Sequence, residues 1–279
     1  MLSNFFKTKR VIDEASREWI FDTFAWCIDQ LDGDFFKENS ELILPDNSFY
    51  PGSSSSVEEM TETIFTNTTK YTGMTSWPFS LVSADNFAPR TMPQLSFTSR
   101  LRGEYANVSA QTRSDVSFKV EGKEVAPSMP SIEIAFHPSQ LNQPQDLIAY
   151  LVQHQAGILV NQHGAMSSYN APGGKDVLAL TIDLVACFMG FGVIFANTAY
   201  QFKGGCGSCN NRNLNRQAAL PELETVYALA LFCVLKKLDS KPIKKALKSH
   251  LYKPFRQAHK EISLYLQQTT NPVLLSAMK

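Results

Sequence analysis

The residues that could do chemistry are few. The stretch Ala149–Val160 is apolar except for a polar cluster at its centre, Gln153-His154-Gln155-Ala156-Gly157. A polar cluster inside an apolar helix is the setting in which two His at i and i+4 share one face and bind zinc, with a Glu between them to activate water. The pattern fails here. The i+3 and i+4 partners of His154 are Gly157 and Ile158, which offer no donor. His163 lies nine residues on and half a turn away in helical phase. The segment supplies at most one zinc ligand by itself.

Asp183 is the second residue of interest. It sits inside the apolar run Val177–Ala199, and a carboxylate there is costly unless paired or hydrogen-bonded. His154 and the backbone amides of a neighbouring loop are its expected partners. Read from the residue alone, it is a buried cap or a His–Asp pair that locks two helices. Cys206 and Cys209 form a lone CxxC. Zinc ribbons need two such pairs, and a redox CxxC opens a helix in a βαβ unit, so loop cysteines are expected. The segment Lys236–Lys260 holds nine Lys/Arg and one acid, Asp239. Lys237, Lys241, Lys244, Lys245 and Lys248 recur at helical spacing. A solvated face is expected, with polyanion binding as the alternative. His137 and His250 are unaccompanied. No GxGxxG, P-loop or GxSxG motif occurs, and no cofactor is expected.

These residues need elements to position them. Helical periodicity predicts a first helix over 11–31, carrying Trp19, Ile20, Phe24, Cys27, Ile28 and Leu31 on one face. Leu42-Ile43-Leu44 reads as a short buried strand. Ser55 or Ser56 caps a second helix, with Glu58 and Glu59 in its first turn and Gly73 at its end. From Trp77 to Phe136 the period moves towards two, and the runs 79–82, 95–97, 105–108, 116–120 and 132–136 predict an antiparallel sheet of four to five strands. A helix from Pro144 to about Asn161 follows, then a loop over 164–174. A buried helix over 176–198 comes next, then a polar loop over 203–219. Helices at 223–238, after Pro242 and over 255–268 complete the chain. The fold class is α+β: N-terminal helices and sheet over 1–136, and a mostly helical half over 137–279. The two form one integrated unit, because no linker-like stretch divides them.

Bulk properties fit that picture. The chain has 279 residues, 44% hydrophobic and 19% charged, with 26 basic and 26 acidic residues. Zero net charge provides no global field for nucleic acid or an anionic membrane, so neither is expected as a partner. A protein partner is left open. Five cysteines, an odd number, do not form a disulfide framework, and the N-terminus lacks a signal-peptide run. The expected location is the cytoplasm. The run Val177–Ala199 is long enough to cross a bilayer, but Asp183, Gly190 and Gly192 interrupt it, so a buried core helix is expected.

Taken in order, several stretches resemble uncharacterised bacterial proteins with a gluzincin-like metallopeptidase core. They are Leu44-Pro45 with Phe49-Tyr50-Pro51-Gly52, Gly73 to Pro78, the helix containing Gln153, and Thr181 to Leu184 with Phe188 to Gly192 and Ala196-Asn197. Tyr227 to Phe232 completes the set. The resemblance implies that the first His, the catalytic Glu and the second His of HExxH fall on Gln153, His154 and Gly157. It also implies that the third ligand, from a Glu-x-x-x-Asp pattern, falls on Ala179, leaving only Asp183 in place. Gly and Ala cannot bind zinc and Gln is a poor ligand. The expectation is therefore a peptidase-like core without metal or catalytic residues, used for binding or regulation. Two alternatives stand beside it: a rebuilt metal-dependent hydrolase site using His154 and Asp183, and a polyanion-binding protein using the basic segment.

Overall fold

The computed structural model describes residues 10–52, 56–97, 100–104, 106, 108–110, 131–199 and 216–278. Helix α1 (Glu14–Gln30) begins where Asp13 accepts a hydrogen bond from the Ser16 amide at 2.9 Å, satisfying one of the orphan donors of the first turn. Its buried face carries Ile20, Phe24, Cys27 and Ile28, as the periodicity predicts, and Phe21 beside them. A short helix absent from the sequence reading, α2 (Gly33–Glu38), follows at once. Gly33 permits the sharp join, since a Cβ there would lie 2.3 Å from the Ile28 carbonyl oxygen. Helix α3 (Val57–Tyr71) is capped by Ser56, which accepts from the Glu59 amide at 3.1 Å.

The strand region departs from expectation. Strands β1 (Phe79–Ser83) and β4 (Ile132–Phe136) pair in parallel, with Phe79 opposite Ile132 and Ser83 opposite Phe136. Strands β2 (Leu95–Phe97) and β3 (Val108–Ala110) form a separate antiparallel pair. Among the described residues there are thus two two-stranded sheets instead of one antiparallel sheet of four to five strands. Alternation marks a strand but not the direction of its partner, and the long connection between β1 and β4 is what allows parallel pairing. The run 116–120 lies outside the described residues. Leu42-Ile43-Leu44, expected as a strand, has no regular secondary structure and belongs to no sheet.

The remainder is helical. Helix α4 (Pro144–Ser167) opens with proline at its first position, where the missing N–H costs nothing. It runs six residues beyond the predicted end, straight through Gly164. Helix α5 (Leu178–Ala186) passes through a single wide turn, Cys187–Phe191, into α6 (Gly192–Thr198). The expected continuous helix is therefore broken, at Gly190, whose φ is 100°. A Cβ on Gly190 would lie 2.0 Å from the Glu41 carbonyl oxygen. The segment around Ile43 crosses the break, and the Ile43 amide donates to the Gly190 carbonyl at 2.9 Å. The strap thus satisfies a backbone group that the break sets free.

Helix α7 (Glu222–Leu235) is apolar on every face and buried from Thr225 to Leu235, as a helix at the centre of a core must be. Helix α9 (Ser249–Leu266) packs along it, α8 (Ser240–Ala246) packs on α9, and α10 (Pro272–Ala277) packs on α1 and α2. One hydrophobic cluster runs through both halves of the chain, from Ile20 and Phe24 through Ile134 and Leu151 to Phe232 and Ile262. The run Gly174–Thr198 has the length and apolarity of a membrane span, but 72% of its most apolar window is buried inside the protein. The two halves of the run are also separated by the Gly190 break.

Candidate functional site

Helices α4 and α5 pack side by side, and Asp183 lies between them with no exposed surface. Gln153 Nε2 donates to Asp183 Oδ1 at 2.6 Å and to the Gln217 carbonyl at 3.0 Å. Both amide hydrogens of Gln153 are thereby used. Asp183 Oδ2 accepts from Arg216 Nη1 at 2.9 Å, from the Ala219 amide at 2.8 Å and from the Leu220 amide at 3.0 Å. An ionised carboxylate has about four acceptor positions, and four donors reach this one.

Arg216 is the residue that the sequence reading missed. Its guanidinium is buried, donates from Nη2 to the Phe195 carbonyl at 3.0 Å, and stacks 4.1 Å from the centre of the Phe195 ring. The pair holds α5, α6 and the segment entering α7 together. A cation for Asp183 was demanded by the cost of burying a lone carboxylate. The polar segment before α7, with Arg212 and Arg216, was the place to look for it. The expectation of backbone amides at Asp183 is met by Ala219 and Leu220.

His154 is not the partner of Asp183. Its side chain is exposed, its Nδ1 donates to the Tyr150 carbonyl at 2.9 Å, and its ring packs on that of Tyr150 at 4.2 Å. It makes no hydrogen bond or ion pair with Asp183. One residue on, Gln155 is buried and turned to α3, where it donates to Thr69 Oγ1 and accepts from Thr72 Oγ1, both at 2.9 Å. Gly157 faces α5, and a Cβ on it would stand 3.5 Å from Ile182 Cδ1. Ala179 lies one turn before Asp183 and is exposed. Gln153, His154, Gly157, Ala179 and Asp183 thus sit on the same two packed helices. Of the first four, Gln153 alone hydrogen-bonds to the Asp183 side chain.

The other candidates lie apart. His163, also on α4, is buried against Trp26 with ring centres 5.8 Å apart, and its Nε2 pairs with Ser167 Oγ at 3.2 Å. Burial holds it below the usual histidine range. Cys27, Cys187 and Cys233 are buried free thiols, with their pKa values pushed up by desolvation. Cys206 and Cys209 lie outside the described residues. Among the described residues no group of three His, Cys, Asp or Glu side chains is placed to hold a metal ion.

Within the basic segment, Lys236 is structural. Its Nζ donates to the Phe36 and Lys37 carbonyls at 2.8 and 2.9 Å, where a cation complements the C-terminus of α2. Lys241, Lys244, Lys245, Lys248, Lys253, Arg256 and Lys260 are exposed on α8, α9 and the turn between them. Lys244 lies 5.8 Å from the ring of Tyr252, and Lys241 lies 3.8 Å from Asp239.

No family model, curated protein or solved structure matches this chain, so what the Asp183 site does is argued from its own geometry.

Proposed function

We propose that this chain is a non-catalytic relative of a zinc metallopeptidase, serving as a binding or regulatory module of the bacterial cytoplasm. The observation that carries the reading is the set of four donors around Asp183. Where a peptidase of the resembled type needs a metal and a water, this chain has Gln153, an Arg216 guanidinium and two backbone amides around the remaining acid. A carboxylate that already takes four donors, one of them a guanidinium, is a poor base and a poor ligand. The guanidinium already supplies the positive charge that a buried acid requires. Gln153, Gly157 and Ala179 on the two packed helices provide no replacement zinc ligands.

The test is the metal content of protein purified without a His tag or chelator. Zinc, cobalt, nickel and manganese well below one equivalent agree with the reading. About one equivalent of zinc, lost on His154→Ala or Asp183→Ala, would sink it in favour of a rebuilt hydrolase. Kinship has its own test: a variant carrying Gln153→His, His154→Glu, Gly157→His and Ala179→Glu gains tight zinc binding if the two helices descend from a peptidase core. A second reading, polyanion binding, is favoured by the seven exposed cations between Lys241 and Lys260. It predicts heparin retention that falls steeply with salt.

A further inference from the structure

A groove away from the Asp183 site runs between α3, the loop after Leu44, the first turns of α4, and α8. It is made of two adjoining cavities that share Pro45, Asp46 and Gln145 as a common wall. The first has a volume of about 330 Å³ and is walled by Tyr50, Met60, Ile64 and Ile148, with prolines at its rim. The second, of about 510 Å³, is flanked by Lys241 and Lys245, one helical turn apart on α8, with Pro242 between them. One end of the groove is apolar and the other basic.

The groove is built, not a chance gap between side chains. Asn197, only 6% exposed, ties its two sides together. The Asn197 Nδ2 donates to Gln145 Oε1 at 3.2 Å and to the Ala246 carbonyl at 2.9 Å, and Oδ1 accepts from the Lys248 amide at 2.9 Å. One buried amide therefore fixes α8 against the start of α4. Tyr50 is held by a 3.2 Å hydrogen bond between its hydroxyl and that of Thr68. Asp46, the acid of the shared wall, accepts from the Ser48 amide and hydroxyl of its own turn. Preformed walls of this kind cut the ordering cost of binding.

We propose that this groove docks an extended acidic segment of a partner protein. One aliphatic or aromatic side chain enters the Tyr50–Met60–Ile64–Ile148 cavity, and a Glu or Asp two to four residues away along the chain meets Lys241 and Lys245. Residues two apart on an extended chain are separated by about 6.6 Å, and the two cavities adjoin across a shared wall. The charge is complementary, since Lys241, Lys244, Lys245 and Lys248 outnumber the acids beside them, Asp46 in the shared wall and Asp239 at 3.8 Å from Lys241. A polynucleotide has the charge but no aliphatic side chain for the first cavity, and a flat membrane surface does not enter a concave groove. The proposal is independent of the reading of Asp183, because Gln145 lies about two helical turns before Gln153.

The experiment is to probe an array of randomised 12-residue peptides with the labelled full-length protein, then to measure the best peptide by fluorescence polarisation. Enrichment of an apolar residue with Asp or Glu two to four positions away is expected. Lys241→Glu with Lys245→Glu should weaken that peptide about tenfold or more, and Met60→Asp should weaken it as strongly. Lys253→Glu with Lys260→Glu, in the same basic segment but outside the groove, should change it less than about twofold. The proposal is overturned by an array without a motif, by a motif of basic residues, or by binding that the Lys253/Lys260 pair weakens as much as the Lys241/Lys245 pair. Equal retention of wild-type protein and the Lys241/Lys245 variant on phosphatidylserine vesicles is expected. Loss of wild-type retention only in that variant would assign the groove to a lipid headgroup instead.

Discussion

Asp183 and Arg216 interact in surroundings that make each costly without the other. Removing one partner of a buried ion pair leaves an uncompensated charge, at a cost of about 3–5 kcal/mol. Asp183→Asn should therefore lower the urea unfolding free energy by an amount in that range. Asp183→Asn combined with Arg216→Met should recover a large part of the loss, because no buried charge is left unpaired. Equal losses in the single and double variants would show that packing, not charge, governs the site. His163 yields a prediction in pH. Its folded pKa lies below the ordinary histidine value, so the unfolded chain takes up the proton first as pH falls. The stabilisation is fully present above about pH 6.5 and is lost as pH falls towards the folded value. Replacing His163 by Phe, which can keep the edge contact with Trp26, should flatten the stability profile between pH 7 and 5. A profile as steep as wild type would mean that other groups set the slope.

Elements are joined here at places where one glycine decides the geometry. Gly190 has a φ of 100°, and a Cβ would meet the Glu41 carbonyl at 2.0 Å. Gly190→Ala therefore carries both a left-handed backbone penalty of about 1–2 kcal/mol and a clash that pushes the strap off the α5–α6 break. Gly174 has a φ of 67° but open space around it, so Gly174→Ala carries the backbone penalty alone. Thermal unfolding should show a clearly larger drop for Gly190→Ala, and similar drops would argue against the strap as the cause. The break was not legible in the sequence. An apolar run with two glycines, Gly190 and Gly192, reads as a continuous helix until the Ile43 amide is seen to claim the Gly190 carbonyl. The same limit applies to β1 and β4. Their alternation marks them as strands, and only tertiary placement made them parallel neighbours.

The whole molecule is organised around α7, with both chain halves contributing to one apolar cluster. Cys27, Cys187 and Cys233 lie in it at zero exposure. Their thiols are held protonated by desolvation, and the thiolate is the reactive form. Labelling mapped by mass spectrometry should find these three unreactive in native buffer. They should become reactive together, at the denaturant concentration where the fold is lost. Staggered labelling, with one of them modified well before the others, would point to separately unfolding parts.

Most helices were legible because their cause is local. Spacing of apolar residues, Ser56 as a cap, and Pro144 at a first turn act within a few residues of the chain. Asp183 was also legible as a residue in need of partners, since a carboxylate in an apolar run is costly wherever the run is buried. Which partners it took was decided only in three dimensions. His154, near in sequence pattern, points outward to Tyr150, while Arg216, distant in the chain, reaches Asp183 from the entry to α7. Hydrogen bonds and ion pairs of that kind depend on which faces the packed helices present. The lone sequence records those faces helix by helix but does not say how they meet.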